Sequence, residues 1–366
     1  MRTHRDICEL LAAVERDGGR LFAPRAALAT ITRTFGATFR RPGSRMLIGG
    51  DGRRVRGLSG GCPEADIAAR AMQVIASGCA EQVRYDREYG LDALLELGCG
   101  GELEVLIEPV DDRAGLAFLE LAARCWRERR EGWLATLFAQ DERCLPRPRR
   151  ALWQDGWRVE EIGDPAVLQR LSALAEEKLR ECLCTAVTLD AGDGRLELLL
   201  EALRPPVQLL IVGVNPVALA LAELAARLGW NSTLVYHAAQ APGLPAATPA
   251  LHAPPETLGR RAAIDARTYA TVMTHNLERD TAYADALLAT AAPYIGVLGS
   301  RRRSEELQSR LRAVGHALDG RLFAPAGLDI GSEDPDEIAL SLLAQMKAFA
   351  GGKSGAPLHV LDTPIH

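Results

Sequence analysis

Residues 207–236, "VQLLIVGVNPVALALAELAARLGWNSTLVY", decide the fold. The apolar run at 207–212, broken only by Gln208, has the pattern of a strand buried on both faces, and the glycine and proline at 213–216 mark a tight turn. An alanine-rich stretch with helical spacing follows, and a second strand closes the unit at 232–236. Strand, turn, helix and strand in this order make a βαβ unit. The alternation continues with strands at 270–275 and 294–299 and helices at 278–291, 304–314 and 335–349, whereas the proline-rich 241–256 reads as an irregular connection. The expectation is an α/β chain whose residues 207–350 form a Rossmann-like doubly wound parallel-sheet domain, with a tail at 351–366.

The turn of the βαβ unit is a damaged dinucleotide fingerprint. Where G-x-G-x-x-G/A is expected the chain has Gly213, Asn215 and Ala218, so Asn215 puts a side chain where a pyrophosphate needs bare backbone. The carboxylate expected at the end of the second strand is replaced by Tyr236 and His237. Both losses disfavour NAD(P). Other loops at strand ends carry His275 in "THN" and Gly299, Ser300 and Arg301 in "GSRRR", where glycine allows close approach to a phosphate and arginine supplies charge.

Upstream, residues 1–110 read as a small α/β domain. A helix at 5–16 precedes a strand at 26–36, a hairpin turning at "GGDG", a helix at 65–76, the strand "EQVRYD" and an alternating strand at 102–108. Residues 111–206 read as a connecting region and a degenerate copy of that domain. "WLATLFAQDERCLPRPRRALWQDGWRVEEI" runs parallel to "ALATITRTFGATFRRPGSRMLIGGDGRRVRGL", and "LELLLEALRPP" to "LEVLIEPV".

Two corners of the first domain draw attention to chemistry. In "LSGGCPEADI" Cys62 stands directly before Pro63, a favoured first helical residue, with Glu64 in the first turn. A thiol at a helix N-terminus is pulled below its free pKa of about 8.5, and Gly60 and Gly61 remove side chains that block approach. Cys99 stands at a second glycine corner with Gly100 and Gly101, and two convergent thiols would make a soft site for a metal-bearing or sulfur-bearing ligand. The alternative is a pair of tight turns with small cysteines. Arg33, Arg40, Arg41 and Arg45, before the first corner, form either a solvated face or a seat for an anionic group.

Bulk composition narrows the classes. With 48% hydrophobic and 25% charged residues and a net charge of -5, the 366-residue chain lacks the basic excess of nucleic-acid binders. No window approaches a membrane span, the N-terminus lacks a secretory h-region, and the eight cysteines include no C-x-x-C pair. A cytoplasmic protein with no membrane or nucleic-acid partner is expected.

The stretches "ATITRTFGATFRRPGSRMLI", "LSGGCPEADI", "LGCGGELEVLIEP", "VMTHN", "PYIGVLGSRRR" and "APAGLDIGSEDPDEIALSLLAQM" together resemble the XdhC/CoxI family, accessory factors of xanthine dehydrogenase and related molybdenum hydroxylases. The resemblance implies a dimeric chaperone that binds the molybdenum cofactor, in molybdopterin mononucleotide or dinucleotide form, and protects it during sulfuration. It also implies cargo delivery to an apo-molybdenum hydroxylase and cooperation with a cysteine desulfurase. It places Cys62 and Cys99, as molybdenum contacts through the cofactor, with Gly60, Gly61, Glu64, Gly100, Gly101 and Arg33 at the cofactor site. Gly213, Asn215, His275, Gly299, Ser300 and Arg301 fall in the Rossmann-like crevice. The family's T-H-D is T-H-N here. Two other readings stay open: an NAD(P)-dependent oxidoreductase, and a sulfurtransferase carrying persulfide on Cys62 or Cys99.

Overall fold

The computed structural model describes residues 2–23, 25–36, 38–58, 63–86, 101–192, 194–238, 244, 249–318 and 320–361. The chain divides into two compact units, Met1–Pro205 and Pro206–His366.

The first unit begins with α1 (Arg2–Asp17), β1 (Ala26–Phe35), β2 (Arg45–Gly49), β3 (Arg54–Val55), α2 (Pro63–Ser77), β4 (Glu81–Tyr85), β5 (Glu102–Val110) and α3 (Ala117–Arg127). It continues with β6 (Gly132–Gln140), β7 (Arg143–Trp153), β8 (Trp157–Glu160), α4 (Pro165–Glu181), β9 (Cys184–Ala191) and β10 (Gly194–Leu203). Two five-stranded sheets result, ordered β3-β2-β1-β5-β4 and β8-β7-β6-β10-β9, so the second sheet repeats the strand order of the first. The register agrees as well. Thr30 lies opposite Arg45 and Leu106, as Thr136 lies opposite Arg150 and Leu199, and a bulge follows Ile31 and Leu137 alike.

Strand alternation explains how each sheet is covered on both faces. Ala27, Ala29 and Ile31 of β1 pack with Ile67, Ala71 and Val74 of α2. The intervening Leu28 turns the other way, into a core that Leu134 and Leu152 of the second sheet share with Leu10 of α1 and Trp126 of α3. On the far side of the second sheet, Ala135 and Leu137 meet Leu171 and Ala175 of α4.

The second unit runs through β11 (Gln208–Val212), α5 (Pro216–Arg227), β12 (Asn231–Tyr236), β13 (Ala250–His252), α6 (Pro255–Arg261), β14 (Thr268–Val272), α7 (Leu277–Leu288), β15 (Tyr294–Val297), α8 (Arg301–Ala313), β16 (Leu322–Phe323) and α9 (Pro335–Ala350). Its six strands are parallel in the order β13-β12-β11-β14-β15-β16. That is the doubly wound Rossmann order, reversing direction between β11 and β14.

The irregular connection expected at 241–256 contains an edge strand and the start of a helix. Ala250–His252 extends the sheet beside β12, and Pro255 opens α6. Pro249 and Pro254 flank this three-residue strand, which keeps their missing donors out of the ladder. Helix α8 begins three residues earlier than its apolar spacing suggests because Ser300 caps it, accepting from the Arg303 N–H. Among the described residues no helix is long and apolar enough to cross a membrane.

Candidate functional site

Gly60, Gly61, Cys62, Cys99 and Gly100 lie outside the described residues, but the residues on either side of them do not. Pro63 is the buried first residue of α2, and Gly101, also buried, leads directly into β5. Both positions belong to one corner of the first sheet. The Tyr85 hydroxyl at the end of β4 donates to Asp66 in the first turn of α2 at 2.7 Å, and Tyr85 lies opposite Leu103 near the head of β5. Glu102 in turn lies opposite Phe35, the last residue of β1. The helix start, the head of β5 and the end of β1 are thereby tied together. Glu64 packs close to Gly57, where a Cβ would stand 2.8 Å from its Oε1.

Charge at this corner is largely internally compensated. Arg33 donates to Glu104 at 2.8 Å and to Glu197 of the second sheet at 2.6 Å. Burial opposes its charge, and the two carboxylates more than offset this, raising its pKa. Arg84 bonds Glu102 at 3.1 Å and lies 5.4 Å over the ring of Phe35, which is 44% exposed. Arg33, Arg40 and Arg45, three of the four arginines read as either a solvated face or a seat for an anionic group, face carboxylates instead. Arg45 is buried against Glu201, because a charged group inside a sheet sandwich needs a partner, and half-buried Arg40 pairs with Asp6 of α1.

In the second unit the predicted residues gather at the C-terminal ends of the strands. Gly213 has φ +116°, and a Cβ there would stand 2.6 Å from the Met273 carbonyl oxygen, so only glycine fits the turn. Asn215 caps α5, its Oδ1 accepting from the Ala218 N–H at 3.0 Å, while its Nδ2 donates to the Met273 carbonyl at 2.9 Å. One side chain therefore engages both the N-terminus of α5 and the end of β14, across the point where the strand order reverses. His275 is exposed at φ +59°, and Asn276 caps α7 by accepting from the Arg279 N–H. The loop is fixed from beneath by fully buried Asp280, which accepts from the Thr274 N–H and hydroxyl and from Arg303 of α8. Gly299 and Ser300 precede α8, and Arg301 is exposed in its first turn. Beside the second strand end, Tyr236 packs on His252, 5.4 Å between centroids.

Burial raises the pKa of Cys8, Cys125, Cys144 and Cys184. Cys184 is pushed well above the ordinary thiol range by burial and by nearby Glu201, and Cys144 is pushed up to about 11 by burial, Glu108 and Glu81. Neither is a thiolate near neutrality. Among the described residues no group of three or more His, Cys, Asp and Glu is placed to hold a metal ion.

Two features lay outside the residue-by-residue reading of the sequence. One is the set of buried arginine–glutamate pairs between the sheets. The other is a cleft beside α4 lined by Trp133 and Trp153.

Fold and site together define a class: a duplicated two-sheet α/β unit with a corner closed by a helix start and a strand head, joined in sequence to a Rossmann unit. Two family models match in that order, the XdhC and CoxI family over residues 23–86 and the XdhC Rossmann domain over residues 209–346. The chain belongs to the XdhC and CoxI family.

It is 26% identical over 328 residues to a Bacillus subtilis (strain 168) protein described as a probable subunit of xanthine dehydrogenase, covering 88% of this chain and 92% of that protein. It is 25% identical to the molybdenum cofactor insertion chaperone PaoD of Escherichia coli (strain K12), covering 88% and 82%. A solved structure described as a xanthine dehydrogenase from Bacillus halodurans superposes with a TM-score of 0.74 at 24% identity, over 96% of this chain and 98% of that one. That likeness establishes the shared fold.

Proposed function

We propose that this protein is a molybdenum-cofactor chaperone, which holds the cofactor as cargo, shelters it during sulfuration and delivers it to an apo-molybdenum hydroxylase of the xanthine dehydrogenase type. The observation that carries the reading is the convergence of α2 and β5 on one corner through the Asp66–Tyr85 bond, because Cys62 immediately precedes α2 and Cys99 stands three residues before β5. The relative named as a cofactor insertion chaperone supports it.

In this reading Cys62 and Cys99 offer soft sulfur to molybdenum or its sulfur ligand, and the exposed ring of Phe35 offers a flat apolar surface to the pterin. Gly60, Gly61, Gly100 and Gly101 leave room for the cargo, and Glu64 accepts from its ring N–H groups. Arg33 acts by fixing Glu104 and Glu197 rather than by binding phosphate. The chain works by binding rather than turnover, as a cytoplasmic homodimer that meets a cysteine desulfurase and the client enzyme in turn. In the Rossmann unit Asn215, which bonds Ala218 and Met273, stands in sequence where the dinucleotide fingerprint has glycine, and this weighs against NAD(P). Gly213, His275, Gly299, Ser300 and Arg301 there form the rim of a second contact with the cargo or client.

The test is purification from a host that makes the cofactor, followed by elemental analysis for molybdenum and fluorescence of the oxidised pterin. Near-stoichiometric molybdenum with pterin supports the reading. Absence of both, together with a rise in melting temperature on adding nicotinamide nucleotide, supports the oxidoreductase alternative.

A further inference from the structure

The two sheets of the first unit share a strand order, yet they treat one pair of positions in opposite ways. In the first sheet Ala27 lies opposite Ile48, and both are fully buried beneath α2. The register places Trp133 opposite Trp153 at the equivalent pair of the second sheet. Two small or aliphatic core residues are thus replaced by two indoles, and Trp153 stays 37% exposed. Between these indoles and the C-terminal half of α4 lies a cleft of about 290 Å³.

The chemistry of the walls selects the occupant. The indoles, together with Ala175 and Leu179 of α4, supply apolar surface. The rim carries two carboxylates, Glu131 and Glu176, and two guanidinium groups, Arg180 and Arg204. Such a neutral rim does not recruit a polyanion, but it can accept from ring N–H groups and donate to ring carbonyls side by side. The volume, about 290 Å³, falls just below the usual range for small-molecule pockets, about 300–1,000 Å³, which suits one compact ligand better than a peptide segment. Arg204 also donates to the Leu179 carbonyl near the end of α4, which anchors this side of the rim.

We propose that this cleft is a second ligand site, which binds a planar nitrogen heterocycle of one or two fused rings, stacked on Trp153. The inference is independent of the cofactor reading, since the cleft is built on the second sheet and the cysteine corner on the first.

The test is calorimetric titration of the full chain with two purine probes, adenine and hypoxanthine, neither of them the pterin assigned to the cysteine corner. Saturable single-site binding of at least one probe is expected, weakened about tenfold or more in Trp153→Ala and largely restored in Trp153→Phe, since stacking a base on an aromatic ring contributes on the order of 1–3 kcal/mol. Glu176→Gln, a surface change that leaves the core intact, is expected to weaken binding several-fold. Cys62→Ala is expected to bind as wild type, which separates this site from the cysteine corner. The proposal is overturned if neither ring binds at millimolar concentration, if Trp153→Ala binds like wild type, or if binding disappears in Cys62→Ala. Binding of a tryptophan-bearing peptide in place of both rings would also overturn it.

Discussion

Arg45 and Glu201, 156 residues apart, meet inside the first unit as a two-pronged ion pair. Nη1 donates to Oε1 at 2.9 Å and Nη2 to Oε2 at 2.5 Å, with the side chains 2% and 3% exposed. The pair has a reciprocal. Arg150, at the register position equivalent to Arg45, donates to Glu108, at the position equivalent to Glu201. Each sheet thus sends an arginine from its second strand to the last glutamate of the other's long strand. Both guanidinium groups lie over the Phe118 ring, whose centroid is 5.9 Å from the Arg45 guanidinium carbon and 4.2 Å from that of Arg150.

Breaking one side of such a pair leaves a buried charge alone. Arg45→Ala is expected to lower the unfolding free energy by about 3–5 kcal/mol, whereas the double change Arg45→Met with Glu201→Leu loses much less, because no ion is stranded. Urea unfolding of the single and double variants measures this. Equal or additive losses would show that the pair contributes packing alone.

The Rossmann crevice depends on a glycine and a cap. Gly213→Ala combines a strained φ with a 2.6 Å approach to the Met273 oxygen, and is expected to cost about 1–3 kcal/mol or more. Asn215→Ala removes a helix cap and is expected to cost about 1 kcal/mol. Thermal or denaturant unfolding ranks the two, and a larger loss for Asn215→Ala would contradict this geometry.

Asp280 holds the 274–276 loop and α8 together. Asp280→Asn keeps an acceptor for Thr274 but removes the negative charge that Arg303 meets at 2.5 Å, with an expected loss of about 1.5–3 kcal/mol. Limited proteolysis should then cut faster at His275 and Asn276. An unchanged cleavage rate would place the loop's rigidity elsewhere.

The fold was readable where local pattern and tertiary environment agree. "VQLLIVGVNPVALALAELAARLGW" is both a strand–turn–helix by spacing and a buried βα unit by packing. The glutamates of "LEVLIE" (103–108) and "LELLLE" (196–201) carried a further signal: a carboxylate in an otherwise apolar strand needs a cation, and Arg45 and Arg150 stand at matching places in the parallel stretches. Which arginine meets which glutamate depends on how the sheets face each other, and no local spacing encodes that. The tryptophan cleft is hidden for a similar reason. Trp133 and Trp153 are 20 residues apart and become neighbours only through the β6–β7 register. Strand β13 is too short, and too closely flanked by proline, for its alternation to show.

Partly buried Cys144 is expected to make the first unit sensitive to alkali. The folded-state pKa of Cys144 is raised to about 11, so the native state holds this proton more tightly than the unfolded chain does. Its contribution to stability is complete below the ordinary thiol value near 8.5 and is lost as pH rises toward about 11. Urea midpoints should therefore fall between about pH 8.5 and 10.5, and fall less steeply in Cys144→Ala. A slope identical in the two proteins would assign the alkaline loss to other groups.

In the proposed function the corner at the start of α2 retains the cofactor through Cys62. Wild type and Cys62→Ala, matched by circular dichroism to show an intact fold, are loaded with purified molybdenum cofactor, and retained molybdenum and pterin are measured after equilibrium dialysis. Wild type is expected to retain both, and the variant to hold them at least tenfold more weakly, a loss of about 1.4 kcal/mol or more. Equal retention by the two proteins would contradict it.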